Sequence, residues 1–195
     1  MNGGVRFSEY RVLHHNTNWS HSAPQQREGG GNYESRFDKR CESEANLLGV
    51  VFTNPGIMTA APYQVLDADH WCLAGTGLAN GDLFGEKSLH MRVPGGASGH
   101  ETDKISAQSP ENVELVARGT NPDKGGAEIV CFETPSGGEV FSVGSITWPA
   151  SILVDDSVSR ITANVLDRFA ADRAPRLQRE ALFQRGEDGG GVLMW

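Results

Sequence analysis

The stretch DDSVSRITANVLDRFAAD, residues 155–172, does most to limit what this chain can fold into. Val158, Ile161, Val165, Leu166 and Phe169 fall at i, i+3, i+7, i+8 and i+11, a single apolar stripe along a helix. Arg160, Asp167, Arg168 and Asp172 take the opposite, wet face. Asp155 or Asp156 supplies an N-cap, its carboxylate accepting from the free N–H groups of the first turn. Pro175 ends the helix, and RLQREALFQR predicts a short second one before the Gly-rich tail GEDGGGVLMW. A one-sided stripe has to be covered, and a sheet is the natural cover.

The strands for that sheet are legible upstream. VELVARGT and AEIVCFETP read as strands, and SGG turns the chain into EVFSVGSITW, where Val140, Phe141 and Val143 have the look of a buried strand. LLGVVF, residues 47–52, is a continuous apolar run stopped by TNPG. That is the pattern of a strand buried on both faces, as in a parallel sheet covered by helices. GGVRFSEYRVLHH, residues 3–15, predicts a first strand with Val5 and Phe7 on one phase. Residues 16–46 read as loop, with Trp19, Tyr33 and Phe37 to lay it against something. Residues 58–104 form a long Gly- and Asp-punctuated excursion with a short strand at 70–73. Its aromatic and apolar content (Tyr63, Trp71, Phe84, Met91) argues against disorder. The class is α/β with a mixed sheet, long Gly-rich loops and a C-terminal amphipathic helix. One domain is expected over 1–174, then a short helix and tail over 175–195.

Charge narrows the partners. Lys plus Arg number 17 against 25 Asp plus Glu, a formal net charge of −8, and no basic run occurs. Nucleic acid and anionic membrane are poor partners for such a chain. The N-terminus lacks the apolar core and small-residue cleavage site of a secretory signal. Cys41, Cys72 and Cys131 are odd in number and far apart, without a C-x-x-C pair. They read as free thiols in a reducing compartment, with cytoplasm the default.

The chemistry concentrates in PGGASGHETDK, residues 94–104, where a permissive backbone leads into His100, Glu101, Asp103 and Lys104. A carboxylate beside small residues can be approached closely, and if desolvated it becomes an acid or base usable near neutrality. The bland alternative is a Gly-rich turn with solvated charges. Elsewhere the signals are weaker. His14, His15 and His21 lack metal-ligand spacing and read as solvated loop histidines. His70 and Cys72 could share a strand face, yet no second pair joins them, so packing is the plainer reading. AGTGLANG lacks the strand, helix and Lys-Ser/Thr of a phosphate loop. Gly96-Ala97-Ser98-Gly99 is one residue short of a G-x-S-x-G nucleophile elbow.

GGASGHETDKI, GGAEIVCFETPSGGEVFSVGSITWPASI and DDSVSRITANVLDRF together resemble the C-terminal part of the large (beta) subunit of the N,N-dimethylformamidase family. The opening GGVR and the run NLLGVVFTNPG fit as well, so the resemblance covers most of residues 3–170. It implies a partial glutamine-amidotransferase-like α/β sandwich. It also implies an amidohydrolase that splits a small N-substituted formamide into formate and an amine. In that family an iron is held by two tyrosines and a carboxylate, and a separate acidic residue near it matches Glu101. The family's subunit is several times longer than this chain, so the resemblance puts the iron ligands upstream. Tyr10, Tyr33 and Tyr63 match no ligand motif, and the metal ligands of this chain are unknown.

On this reading Glu101 is the acid/base group and His100 its neighbour, pointing the other way on an extended segment. Gly96 and Ser98 line the substrate side, and Ser145, Thr147 and Trp148, beyond the last strand, form the other wall. The domain is expected to be incomplete at its N-terminal side. Its open sheet edge would call for a partner, an upstream polypeptide or other subunit, and for a homo-oligomer. The reading from a different class is a non-catalytic module for assembly or structural support.

Overall fold

The computed structural model describes residues 27–28, 33–34 and 43–171. In chain order the strands are β1 (Arg27–Glu28), β2 (Tyr33–Glu34), β3 (Val51–Thr53), β4 (Ala60–Ala61), β5 (Tyr63–Val65) and β6 (Leu83–Phe84). Next come β7 (Ser98–Gly99), β8 (Thr102–Lys104), β9 (Glu114–Gly119), β10 (Glu128–Glu133) and β11 (Glu139–Ser142). The helices are α1 (Ala45–Leu48) and α2 (Asp156–Ala171), with 3₁₀ turns at Trp71–Leu73 and Trp148–Ala150. The strands make a five-stranded sheet β11-β10-β9-β5-β6, a four-stranded sheet β1-β2-β3-β8 and a two-stranded ribbon β4-β7.

β10 is the central element because its sequence lets it be. Ile129, Val130, Cys131 and Phe132 are all buried, so both faces of the strand are covered. On one face Ile129 joins Val116, Tyr63, Phe84 and Trp148 in a core that the α2 stripe closes through Val158, Ile161 and Val165. On the other face the Val130 and Phe132 side chains pack against Gly49, in the link from α1 to β3. The order of layers is therefore helix, large sheet, small sheet. Tyr63 anchors the first core, stacked on Phe84 at 5.6 Å and edge-on to Trp148 at 5.7 Å.

α2 starts as its sequence demands, the Asp155 carboxylate accepting from the Val158 N–H at 3.2 Å. Three residues of the expected stripe are fully inside. Phe169 is partly buried against them, whereas Leu166 is 63% exposed. Arg168 lies on the exposed face expected of it, and from there its guanidinium grips both Glu139 carboxylate oxygens at 2.7 Å and lies 4.5 Å over the Trp71 ring. That pair ties the end of α2 to the edge strand β11, a contact between segments 29 residues apart that helical periodicity alone does not reveal.

The described residues carry both strands and helices, as expected of the class, and the strands at 114–119, 128–133 and 139–142 are where the sequence puts them. Every pairing among the described residues is antiparallel, so the parallel component expected around residues 47–52 is not found there. Leu47 and Leu48 end the short helix α1 instead, half exposed, and the strand starts only at Val51. The short strand expected at 70–73 is a 3₁₀ turn, because the His70 ring accepts the Cys72 N–H at 3.3 Å and curls the chain. The elements expected at 3–15 and after Pro175 lie outside the described residues.

Among the described residues no helix is long and apolar enough to cross a membrane. Cys72 and Cys131 are free and buried, and burial pushes their thiols up to about 12 and about 11, far from a reactive thiolate. Cys41 is outside the described residues.

Placing a charge at Ile161, which has no exposure, forces an unpaired carboxylate into the core. Ile161→Asp is expected to cost more than about 4 kcal/mol and abolish soluble expression. Leu166→Gln, on the exposed flank of the same helix, should stay within about 0.5 kcal/mol of wild type in a denaturant titration.

Candidate functional site

Residues 96–99 run flush along residues 59–62. A Cβ on Gly96 would stand 2.3 Å from the carbonyl of Ala61, and one on Gly99 2.3 Å from the Thr59 oxygen. The glycines of PGGASGHE therefore serve a backbone-on-backbone contact within the fold, not an approach to a ligand. Ser98 sits in the same seam with no exposure. Its hydroxyl donates to Asn121 Oδ1 at 2.7 Å and accepts from the Ala127 N–H at 2.9 Å. Those partners are an amide and a backbone N–H rather than a general base, and neither Gly96 nor Ser98 is among the residues that line the pocket beside Glu101.

His100 and Glu101 mark the step from the ribbon to the small sheet. The His100 N–H donates to the Thr59 carbonyl at 2.9 Å and its own carbonyl accepts from Met58 at 2.8 Å, prolonging the ribbon. Its φ is +69°, the left-handed region that costs a residue with a Cβ about 1–2 kcal/mol. The ring turns against His90, 5.3 Å between centroids, with Nδ1 buried and without a hydrogen-bond partner. The chain then enters β8.

Glu101 faces a partly open pocket of about 270 Å³. Leu48, Val50, Asp103, Ser142, Val143, Gly144, Ser145 and Ile146 complete its lining. The pocket lies where the two larger sheets meet edge to edge. Asp103 donates its N–H to the Gly144 carbonyl at 2.8 Å, and Thr102 bridges to Ser145.

Of the wall expected beyond the last strand, Ser145 and its neighbour Ile146 reach the pocket, and Thr147 and Trp148 are not in its lining. The Ser145 hydroxyl accepts from Gly99 N–H at 2.8 Å and Thr147 N–H at 3.2 Å, and donates to the Ala97 carbonyl at 2.7 Å. One donor and two acceptors exhaust a hydroxyl. Thr147 and Trp148 are core residues instead, the indole N–H donating to Thr162 Oγ1 at 3.2 Å. The pocket's apolar side comes from Leu48, Val50, Val143 and Ile146, brought in from the end of α1, the link to β3 and the segment after β11. Leu48, Val50 and Val143 read in the sequence as parts of buried strands, not as pocket wall. Asp103, noted in the sequence among the ionisable groups of the Gly-rich segment but given no role there, lines the pocket with Glu101.

Residues 6–159 match the family described as N,N-dimethylformamidase beta subunit-like, C-terminal. The chain belongs to this family. Among curated proteins it is similar to the N,N-dimethylformamidase beta subunit of Paracoccus aminophilus, 35% identical over 108 residues, covering 41% of this chain and 14% of that subunit. It is also similar to the N,N-dimethylformamidase beta subunit of Alcaligenes sp., 28% identical over 181 residues, covering 75% of this chain and 23% of that subunit. The chain thus spans less than a quarter of the length of these curated relatives.

The iron that the resemblance implies needs phenolate and carboxylate donors, and Tyr63 does not fit. It is fully buried, its hydroxyl donates to the Val143 carbonyl at 2.7 Å, and burial holds the phenol far above its ordinary range. Among the described residues no group of three His, Cys, Asp or Glu comes together in a metal-holding cluster. Tyr10 lies outside the described residues. His70 and Cys72 do meet, Nδ1 3.1 Å from Sγ, as the cap of a turn rather than a metal pair. Burial lowers the His70 pKa, and the Glu114 carboxylate 3.3 Å from Nε2 only partly offsets this.

Two outcomes follow from these geometries. If backbone strain governs position 100, His100→Gly keeps stability within about 1 kcal/mol while His100→Val loses about 2 kcal/mol. The reverse order in chemical denaturation would assign the position to ring packing instead. For His70, the folded state resists a proton that the unfolded chain takes up near its ordinary value of about 6.5, so stability falls as pH drops below that value. The decline in Tm between neutral and mildly acidic pH is expected to be shallower in His70→Gln than in wild type.

Proposed function

We propose that this chain is part of an amidohydrolase that cleaves small N-substituted formamides to formate and an amine, with Glu101 as its proton-transfer group. The observation that carries the reading is the position of Glu101. In a chain of the N,N-dimethylformamidase beta subunit-like family, the acidic residue of the Gly-rich segment is the one that leaves the ribbon and faces the pocket. Water adds to the formyl carbon, the C–N bond breaks, and the departing nitrogen leaves protonated. Glu101 takes the proton from the attacking water or delivers one to that nitrogen. His100 acts through its backbone, turning the chain so that Glu101 reaches the pocket. Ser98, Ser145, Thr147 and Trp148 hold the frame around it, and Gly96 fits it to β4.

The rest of the active site is proposed to come from another polypeptide, an upstream portion or subunit, completing a glutamine-amidotransferase-like sandwich. The chain's coverage of less than a quarter of each relative supports this. Any iron in that assembly takes no ligand from Tyr63. The same fact favours a second reading, a non-catalytic module. Tyr63 and the hydroxyls of Ser98 and Ser145 are committed to internal hydrogen bonds, as expected of a support domain.

Kinetics of the assembled enzyme separate the two. Glu101→Gln keeps the shape of the side chain and removes the transferable proton, so formamide turnover should fall about a hundred- to ten-thousand-fold with Tm unchanged. Wild-type turnover in that variant would favour the support role.

A further inference from the structure

We propose that the turn at residues 70–74 is a proton-operated latch: the neutral His70 ring holds it closed between β9 and α2, and protonation of the ring releases it. The latch is separate from the pocket and owes nothing to the role proposed for Glu101.

The closed state depends on one nitrogen. The Cys72 N–H can only donate, and it points at His70 Nδ1, 3.3 Å away, so that nitrogen carries a lone pair. The Cys72 thiol, fully buried, sits 3.1 Å from the same nitrogen. With Nδ1 accepting, the neutral ring keeps its proton on Nε2. A second proton has only Nδ1 to go to. There it would set N–H against N–H, around a side chain that is 7% exposed. The imidazolium cannot keep the cap, so the turn has to open to admit the proton.

What the cap closes is shared by two elements. Asn164 of α2 donates through Nδ2 to the Cys72 and Ala74 carbonyls, both at 2.8 Å. The Trp71 ring stands 5.2 Å from the His70 ring and 4.5 Å under the Arg168 guanidinium, and Leu73 joins the core. On the other side Nε2 is 3.3 Å from the Glu114 carboxylate of β9 without a hydrogen bond to it. Opening the turn therefore loosens what holds the second half of α2 to the rest of the fold.

The surroundings set the pH at which this happens. Burial opposes the proton most, the Glu114 and Asp67 carboxylates favour it, and the Arg168 guanidinium opposes it. Behind these groups, Glu139 is taken up by Arg168, and burial keeps the Cys131 thiol neutral. Burial prevails, so the closed ring lies below the ordinary value of about 6.5 that an opened turn restores. The open turn thus binds the proton more tightly than the closed one. Opening becomes easier as pH falls below about 6.5, by up to about tenfold per pH unit, until the closed ring is protonated as well.

The test is amide hydrogen exchange of the 195-residue chain, followed by NMR as the pH is lowered from neutral to mildly acidic. Protection of the Cys72 amide is expected to fall by up to about tenfold per pH unit below about 6.5. It should stay lower than that of Ile129–Phe132 in β10, whose resonances do not move. His70→Asn places an acceptor that does not titrate at the same cap position, so the turn should stay closed and the pH dependence vanish. Glu114→Gln removes a charge that favours the proton in the closed turn and should extend the fall to lower pH. The ring nitrogen shifts of wild-type His70 need no variant, and at neutral pH they should report the proton on Nε2. A proton on Nδ1, a Cys72 protection that ignores pH, or an unchanged pH dependence in His70→Asn would overturn the proposal. So would equal protection of Cys72 and the β10 amides at every pH, because the turn would then open only with the whole fold.

Discussion

The seam between the two larger sheets is the constraint on which the rest of this structure depends. There the Thr102–Ser145 bridge and the Asp103 N–H to Gly144 carbonyl bond join β8 to the segment after β11. The Ser145 hydroxyl adds three further bonds, to the backbone of Ala97, Gly99 and Thr147. Tyr63 reaches the same segment from the core through the Val143 carbonyl. A partly open pocket with two carboxylates at its wall persists because the backbone on both sides of it is bonded across the seam. Loss of the Ser145 hydroxyl would leave two N–H groups without their acceptor, at a cost that buried unsatisfied donors make large.

What the sequence disclosed followed from local rules. The α2 stripe, its Asp155 cap and the strands over 114–142 were legible because periodicity and turn residues are properties of neighbours. The prominence of Glu101 was legible for the same reason, as a carboxylate at the end of a Gly-rich run. The reason for that run was not. Gly96 and Gly99 answer to the backbone of Thr59 and Ala61, a contact about forty residues distant that no local pattern records. Thr147 and Trp148 looked like a pocket wall because they follow a strand. They are core because Thr162 of α2 and the Tyr63 ring claim the indole. Arg168 had the spacing of a solvent-facing residue and is one, but its second part as a clamp was not legible, because Glu139 and Trp71 arrive from other elements. The pocket itself, assembled from three separate segments, is a product of topology and could not be read in advance.

The same division holds for function. Membership of the N,N-dimethylformamidase beta subunit-like family rests on a match over residues 6–159, whereas the chemistry proposed for the chain rests on one carboxylate and its surroundings. Among the described residues the pocket wall carries two carboxylates, Glu101 and Asp103. The Tyr63 phenol is committed to the carbonyl of Val143, a residue of the pocket wall. The proposed function has such a chain supply part of a site and a partner supply the rest.

Reconstitution tests that central claim most directly. The chain would be mixed with the Alcaligenes sp. beta subunit from which the aligned portion has been removed, and N,N-dimethylformamide hydrolysis followed by release of formate. Turnover by the mixture, absent from either component alone, is the predicted result. A truncated subunit as active without the chain as with it, or full turnover by the chain alone, would contradict the claim.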